Sequence, residues 1–176
     1  MKNYKLYDNT IEGSTPVLNQ QKRLKLRVLI SLITEIVAKN SGESNYILNN
    51  KNIEVEHIWA NHFEDHTDEF DNREDFTRTR NNIGNLLVLP KSFNASYNDN
   101  TFSSKVKQYF SQNILAQTLN HEKYVNNPGF IKFKNSSNLP FKAYDEFTKN
   151  SIEERADLYR EILKYEFSEF LETSNN

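Results

Sequence analysis

Residues 53–58, Ile53-Glu54-Val55-Glu56-His57-Ile58, alternate apolar and charged side chains, while residues 83–90, Ile83-Gly84-Asn85-Leu86-Leu87-Val88-Leu89-Pro90, run almost wholly apolar into a proline. Period-two alternation marks a short strand. The apolar run Leu86-Leu87-Val88-Leu89 reads as a second strand, stopped by Pro90, which has no N–H to give a ladder. Between the two, residues 59–82 make a long connection with seven acidic side chains: Glu64, Asp65, Asp68, Glu69, Asp71, Glu74 and Asp75. A helix is expected in its second half, since loops of this length in compact domains carry structure of their own or a function.

Working outward, Leu26, Leu29, Ile30, Ile33, Ile36 and Val37 recur at helical spacing between Gln21 and Lys39, with Gly42 as a C-terminal cap. The opening turns of that helix carry Lys22, Arg23, Lys25 and Arg27, which read as a solvated face or as a patch for a nucleic-acid backbone. After the second strand one helix is expected from near Ser92. Another is expected from Phe102, with Val106, Tyr109, Phe110 and Ile114 on its packing side. Residues 121–142 read as irregular, with a short strand at Phe130–Phe133. Ser151-Ile152-Glu153-Glu154 has the form of a capping box and predicts the start of a last helix, packed through Ile152, Ala156, Tyr159, Leu163, Phe167 and Phe170. Residues 1–20 read as a polar tail or linker and 21–176 as one domain. The class is α+β: a strand–loop–strand–helix centre, flanked by N- and C-terminal helices.

The chain has 176 residues, enough for one core, and no cysteine, which excludes disulfides and every thiolate metal site. Its longest apolar run, Val28 to Ile33, is far short of a membrane span, and MKNYKLYDNT lacks the apolar centre of a signal peptide. A cytoplasmic protein with no membrane partner is expected. The net charge of −2 opposes general nucleic-acid affinity, so any such binding must rest on local basic groups, a metal or another domain.

Chemistry concentrates in the centre. A hard divalent cation, Mg²⁺ or Mn²⁺, takes oxygen ligands, and Glu56 offers a carboxylate and Asn94 an amide oxygen. His57 is suited to take a proton from water, and a metal on a scissile phosphate would stabilise the developing charge. Because neighbours on a strand face opposite ways, the strand must break at residues 56–57 for both side chains to reach one phosphate. The role of Asn85 is positional, since its amide can bond the backbone that leaves His57.

Val55-Glu56-His57-Ile58, Ile83-Gly84-Asn85-Leu86-Leu87-Val88-Leu89-Pro90, Asn94, Phe102-Ser103-Ser104-Lys105 and the late Ile152-Glu153-Glu154-Arg155 together resemble the C-terminal HNH nuclease domain of GmrSD-type restriction enzymes. That resemblance implies a ββα-metal (HNH) core at about residues 53–112 and a metal-dependent DNA endonuclease. It implies Glu56 and Asn94 on the metal, His57 as general base and Asn85 as a structural residue. It also implies an N-terminal nucleotide-hydrolysing sensor domain or partner subunit, and a role in defence against foreign DNA. Lys105 resembles a residue placed near the DNA backbone. The chain departs from the family in two places: His57-Ile58-Trp59-Ala60 stands where an H-I-L-P form is common, and the acid is Glu where the wider superfamily has Asp.

Further contacts with DNA are expected from Arg80 and from stacking by Trp59, which alternatively packs over the hairpin. His62 and His66, at i, i+4 spacing, read as surface residues in an acidic loop. The alternative functions are a catalytically silent nucleic-acid-binding or protein-interaction module, and an RNA-directed nuclease.

Overall fold

The computed structural model describes residues 20–43, 52–93 and 100–173. In chain order these form helix α1 (Gln20–Asn40), strand β1 (Ile53–His57), helix α2 (Arg73–Arg80) and strand β2 (Leu86–Pro90). Helices α3 (Phe102–Tyr109), α4 (Ile114–Gln117), α5 (Pro128–Ser137) and α6 (Lys149–Thr173) follow. Tight single turns of helix occupy Phe63–His66, Ile83–Asn85 and His121–Tyr124. The class is α+β, mostly helical, with one two-stranded antiparallel sheet among the described residues.

Helix α1 lies at the centre. Its stripe of Leu26, Ile30, Ile33, Ile36 and Val37 is buried, and the helix packs on both strands and on α4, α5 and α6. It ends where the spacing predicts: Gly42 takes φ 71°, its N–H bonds the Lys39 carbonyl at 3.1 Å, and the Glu43 N–H bonds the Ala38 carbonyl at 2.9 Å. Strands β1 and β2 pair from Ile53 opposite Pro90 to His57 opposite Leu86. Leu86 to Leu89 are buried on both faces, which explains a continuous apolar run in an antiparallel pair. Tyr159 of α6 donates to the Leu86 carbonyl at 2.9 Å and ties the last helix to the sheet.

Just before β2, the turn Ile83–Asn85 lies directly against α6. A Cβ on Gly84 would stand 1.9 Å from the Ile152 carbonyl oxygen and 2.7 Å from the Ala156 nitrogen, so only glycine allows this approach. The long connection is packed down by aromatics. Trp59 stacks on Phe76 and meets Phe70 edge-on, each at 5.9 Å between centroids. Glu69 accepts from the Lys149 N–H at 2.7 Å, placing a carboxylate at the start of α6.

Three local expectations are corrected. The strand expected at Phe130–Phe133 is the body of α5: Asn127 accepts from the Phe130 N–H at 3.0 Å, Pro128 occupies the first turn, and both rings pack on Phe141. The capping box sits three residues earlier than Ser151-Glu154, since Ser151 N–H donates to Thr148 Oγ1 at 3.4 Å and Thr148 N–H to Ser151 Oγ at 3.1 Å. The helix from Phe102 stops at Tyr109, and Asn113 caps a separate α4 by accepting from the Ala116 N–H at 3.1 Å. Residues 1–19 of the expected tail, and the expected helix beyond Phe93 with Asn94 in it, lie outside the described residues.

Gly84→Ala is expected to destabilise the protein by at least about 1–3 kcal/mol, because the methyl group meets helix backbone that cannot rotate away. Urea unfolding measures this; a change within error would mean the turn does not lie so close to α6.

Candidate active site

Alternation along β1 sorts its side chains into two environments. Ile53, Val55 and His57 line an open groove of about 560 Å³, closed on its other side by Arg23, Leu24 and Arg27 of α1, with Glu54 at its border. Glu56 points the other way, into the interior. There Lys105 Nζ donates to Glu56 Oε1 at 2.8 Å and to the His57 carbonyl at 2.9 Å, while the Tyr109 hydroxyl donates to the same Oε1 at 3.3 Å. Glu56, Lys105 and Tyr109 are all buried. Burial, reinforced by the adjacent carboxylate, pushes the Tyr109 phenol well above its usual pKa and keeps it a donor.

The strand stays regular through His57. The break at residues 56–57 that would bring both side chains to one phosphate is therefore replaced by two opposed faces. Lys105, expected near DNA, is instead fully buried on Glu56. Trp59 also turns inward: it is buried, and its indole N–H donates to the Phe147 carbonyl at 2.6 Å.

His57 is held by groups around the long connection. Its Nε2 lies 3.1 Å from Asn81 Oδ1. An amide oxygen only accepts, so in this orientation Nε2 carries the proton and Nδ1 the lone pair. Asn81 caps the C-terminus of α2 through its own N–H. Burial above all, then the positive charge of Arg80 and, more weakly, of Arg23 and Lys105, lowers the His57 pKa from 6.5 to about 3, against the raising effect of the Asn81 bond. The imidazole is neutral at neutral pH.

Asn85 is fully buried and joins three segments. Its Oδ1 accepts from the Trp59 N–H at 3.0 Å, its Nδ2 donates to the Arg80 carbonyl at 2.8 Å, and its own carbonyl accepts from the Ile58 N–H at 2.9 Å. The chain leaving His57 is thereby fixed to β2 and to the end of α2. Arg80 adds to the same joint, its Nε donating to the Trp59 and Ala60 carbonyls at 3.2 Å each. His62 pairs with Asp65 at 3.6 Å, and His66 with Glu69 at 3.2 Å while its ring lies tilted against Trp59, so the two histidines do not converge.

Sequence reasoning missed Asn81 and Tyr109. Tyr109 stands one helical turn after Lys105, on the same face of α3, and a lysine–tyrosine pair on a packing face is a signal that a buried acid awaits it. Asn81 is marked only by its place after a helix rich in Thr and Arg.

A divalent cation requires oxygen donors that are free to turn toward it. Glu56 Oε1 already serves an ammonium and a phenol, and among the described residues no group of three His, Asp or Glu side chains could hold a metal ion. As arranged, Glu56 does not fit a metal shared with the His57 groove; Asn94 lies outside the described residues.

The site of this mostly helical α+β domain is thus a neutral, oriented histidine on an arginine-lined groove. The family described as GmrSD restriction endonucleases, C-terminal domain, matches residues 8–162, and the chain belongs to it. Its function is thus related to restriction endonucleases, with nuclease chemistry. No curated protein and no solved structure matches the chain. No helix among the described residues is long and apolar enough to cross a membrane.

The folded state keeps His57 neutral down to about pH 3, whereas an unfolded imidazole titrates near 6.5. Between those values the unfolded chain binds more protons, so the stability is whole above the upper value and lost as pH falls toward the lower. At about 1.4 kcal/mol per pH unit this amounts to a few kcal/mol. His57→Gln is expected to flatten the acid arm of the stability–pH curve from urea melts; an acid arm identical to wild type would show that the imidazole is not held neutral.

Proposed function

We propose that the chain is the DNA-cleaving domain of a restriction system, hydrolysing phosphodiesters with His57 as general base. In this reading β1, β2 and the helix after them form a ββα (HNH) nuclease core. The observation that supports it most directly is His57 itself, neutral, fixed through Nε2 by Asn81, and lining the groove between β1 and α1.

A scissile phosphate seated against His57 places the attacking water at Nδ1, which takes its proton as the oxygen attacks phosphorus; the bond from phosphorus to the leaving sugar oxygen breaks, and that oxygen takes a proton from solvent. An imidazole with a pKa of about 3 is a weak base in the empty groove. The arriving phosphodiester carries negative charge, which opposes the fields of Arg80 and Arg23 and raises the basicity of the ring as substrate binds. Asn85 and Arg80 act as positioning residues, holding the backbone that carries His57.

Mg²⁺ or Mn²⁺ belongs to the proposal on the strength of the family resemblance, which assigns Glu56 and Asn94 to the ion; it would supply charge stabilisation at the phosphate. For Glu56 to take that part, Lys105 must leave Oε1. The partners proposed are DNA and an N-terminal nucleotide-hydrolysing domain or subunit, acting against foreign DNA.

Nicking of supercoiled plasmid in Mg²⁺, Mn²⁺ or EDTA tests this. Cleavage is expected with metal and not with EDTA, and His57→Ala should lower the rate by about 10²–10⁴-fold without loss of fold. Retained cleavage in His57→Ala would reject the base assignment. Absence of cleavage by wild type on DNA, with or without cleavage of RNA, would reject the substrate.

A further inference from the structure

Most of the arginines among the described residues are already engaged. Arg73 pairs with Glu64, Arg78 with Asp75, Arg160 with Asp157, and Arg155 is buried against Tyr159. Arg80 is bonded to backbone carbonyls. Arg23 and Arg27 differ: among the described residues neither has an ion pair or a hydrogen bond, and both line the groove that holds His57. Glu54, the acid on the same groove, is neutralised by Lys91 at 3.3 Å. The groove is therefore a local positive site on a protein of net charge −2.

We propose that Arg23 and Arg27 form a rail for the sugar–phosphate backbone of DNA, gripping phosphates next to the one presented to His57. This rests on the nuclease reading and extends it to the binding of flanking nucleotides. The two residues are one helical turn apart, about 6 Å along the axis, comparable to the step between successive phosphates of a strand. Arginine suits such a rail, since its guanidinium grips phosphate oxygens in pairs and stays charged. Leu24, Ile53 and Val55 give the groove an apolar lining on which deoxyribose can rest. Arg23 lies near enough to His57 for its charge to be felt there, so the rail and the base serve one continuous strand. Phosphate contacts fix register and carry no sequence information, and a domain with such a rail binds DNA of many sequences.

The test uses the full chain and a short fluorescent DNA duplex, with binding read by anisotropy across a salt series in EDTA, beside plasmid nicking with metal. Arg23→Gln and Arg27→Gln are each expected to weaken binding to unrelated duplexes alike and to reduce the slope of log K against log salt by about 1, the double variant by about 2. Arg23→Lys should keep the slope. Arg78→Gln, on a paired surface arginine, should leave binding unchanged. Circular dichroism melts confirm that each variant is folded. Wild-type affinity and slope in the double variant, with nicking by wild type intact, would overturn the rail alone. An equal loss in Arg78→Gln would overturn it in favour of general charge. Slopes that fall as expected while wild type and His57→Ala nick alike would uphold the rail and overturn His57 as base.

Discussion

Burying the carboxylate of Glu56 beside a two-stranded sheet obliges the fold to bring a cation and a donor to it. Lys105 and Tyr109 of α3 answer that demand. An unpaired carboxylate there would cost several kcal/mol, so α3 cannot drift from β1 without exposing one charge or stranding the other. The lysine also bonds the His57 carbonyl and so fixes the end of the strand as well as its acid. With Glu56 committed inward, strand geometry leaves His57 the opposite face. What separates a structural charge from a chemical one in this site is the alternation of a single strand.

The same economy extends over the surface. Several acids of the long connection are spent on neighbouring cations or on helix starts, as with Glu64 on Arg73, Asp75 on Arg78 and Glu69 on the first turn of α6. Exposed pairs of this kind contribute little to stability. Their effect is to offset the positive charge of Arg73 and Arg78, which lie away from the groove between α1 and β1. Net charge therefore says less about this protein than where the unpaired charge lies, and a chain with more acids than bases can still present a basic cleft.

Much of the hairpin was legible because its signals are local. The alternation of residues 53–58, the apolar run closed by Pro90 and the cap at Gly42 each follow from backbone rules, and the structure follows them. The need for Gly84 was not legible, since it arises from helix α6, remote in sequence, pressing its backbone on the turn. The segment around Phe130 misled because two phenylalanines three apart suit a short strand or a helix, and only Asn127 and Pro128 decide between them. At the site, Asn85 makes three bonds that hold the chain leaving His57, whereas Lys105 and Trp59 carry residue types common to DNA contacts and to interiors alike. Partnership across the fold settles which, and single-sequence spacing does not encode it.

A base as weak as the buried His57 looks ill matched to activating water until the order of events is considered. Before substrate arrives, burial above all, and then the cationic surroundings, suppress protonation and keep the ring in the one state able to accept a proton. The cations also give the groove a positive charge that suits a phosphate. On the proposed reading, DNA binding changes the field: each phosphate placed against Arg23 or beside Arg80 would offset positive charge near the imidazole and strengthen Nδ1 as an acceptor for the proton of the water. The affinity for DNA and the reactivity of the base are on this account two effects of one set of charges. An arrangement that held His57 near its ordinary pKa would give a stronger base in the empty protein. It would also require a more exposed ring and fewer cations around it, and without those cations the site would lack the positive charge proposed to hold DNA.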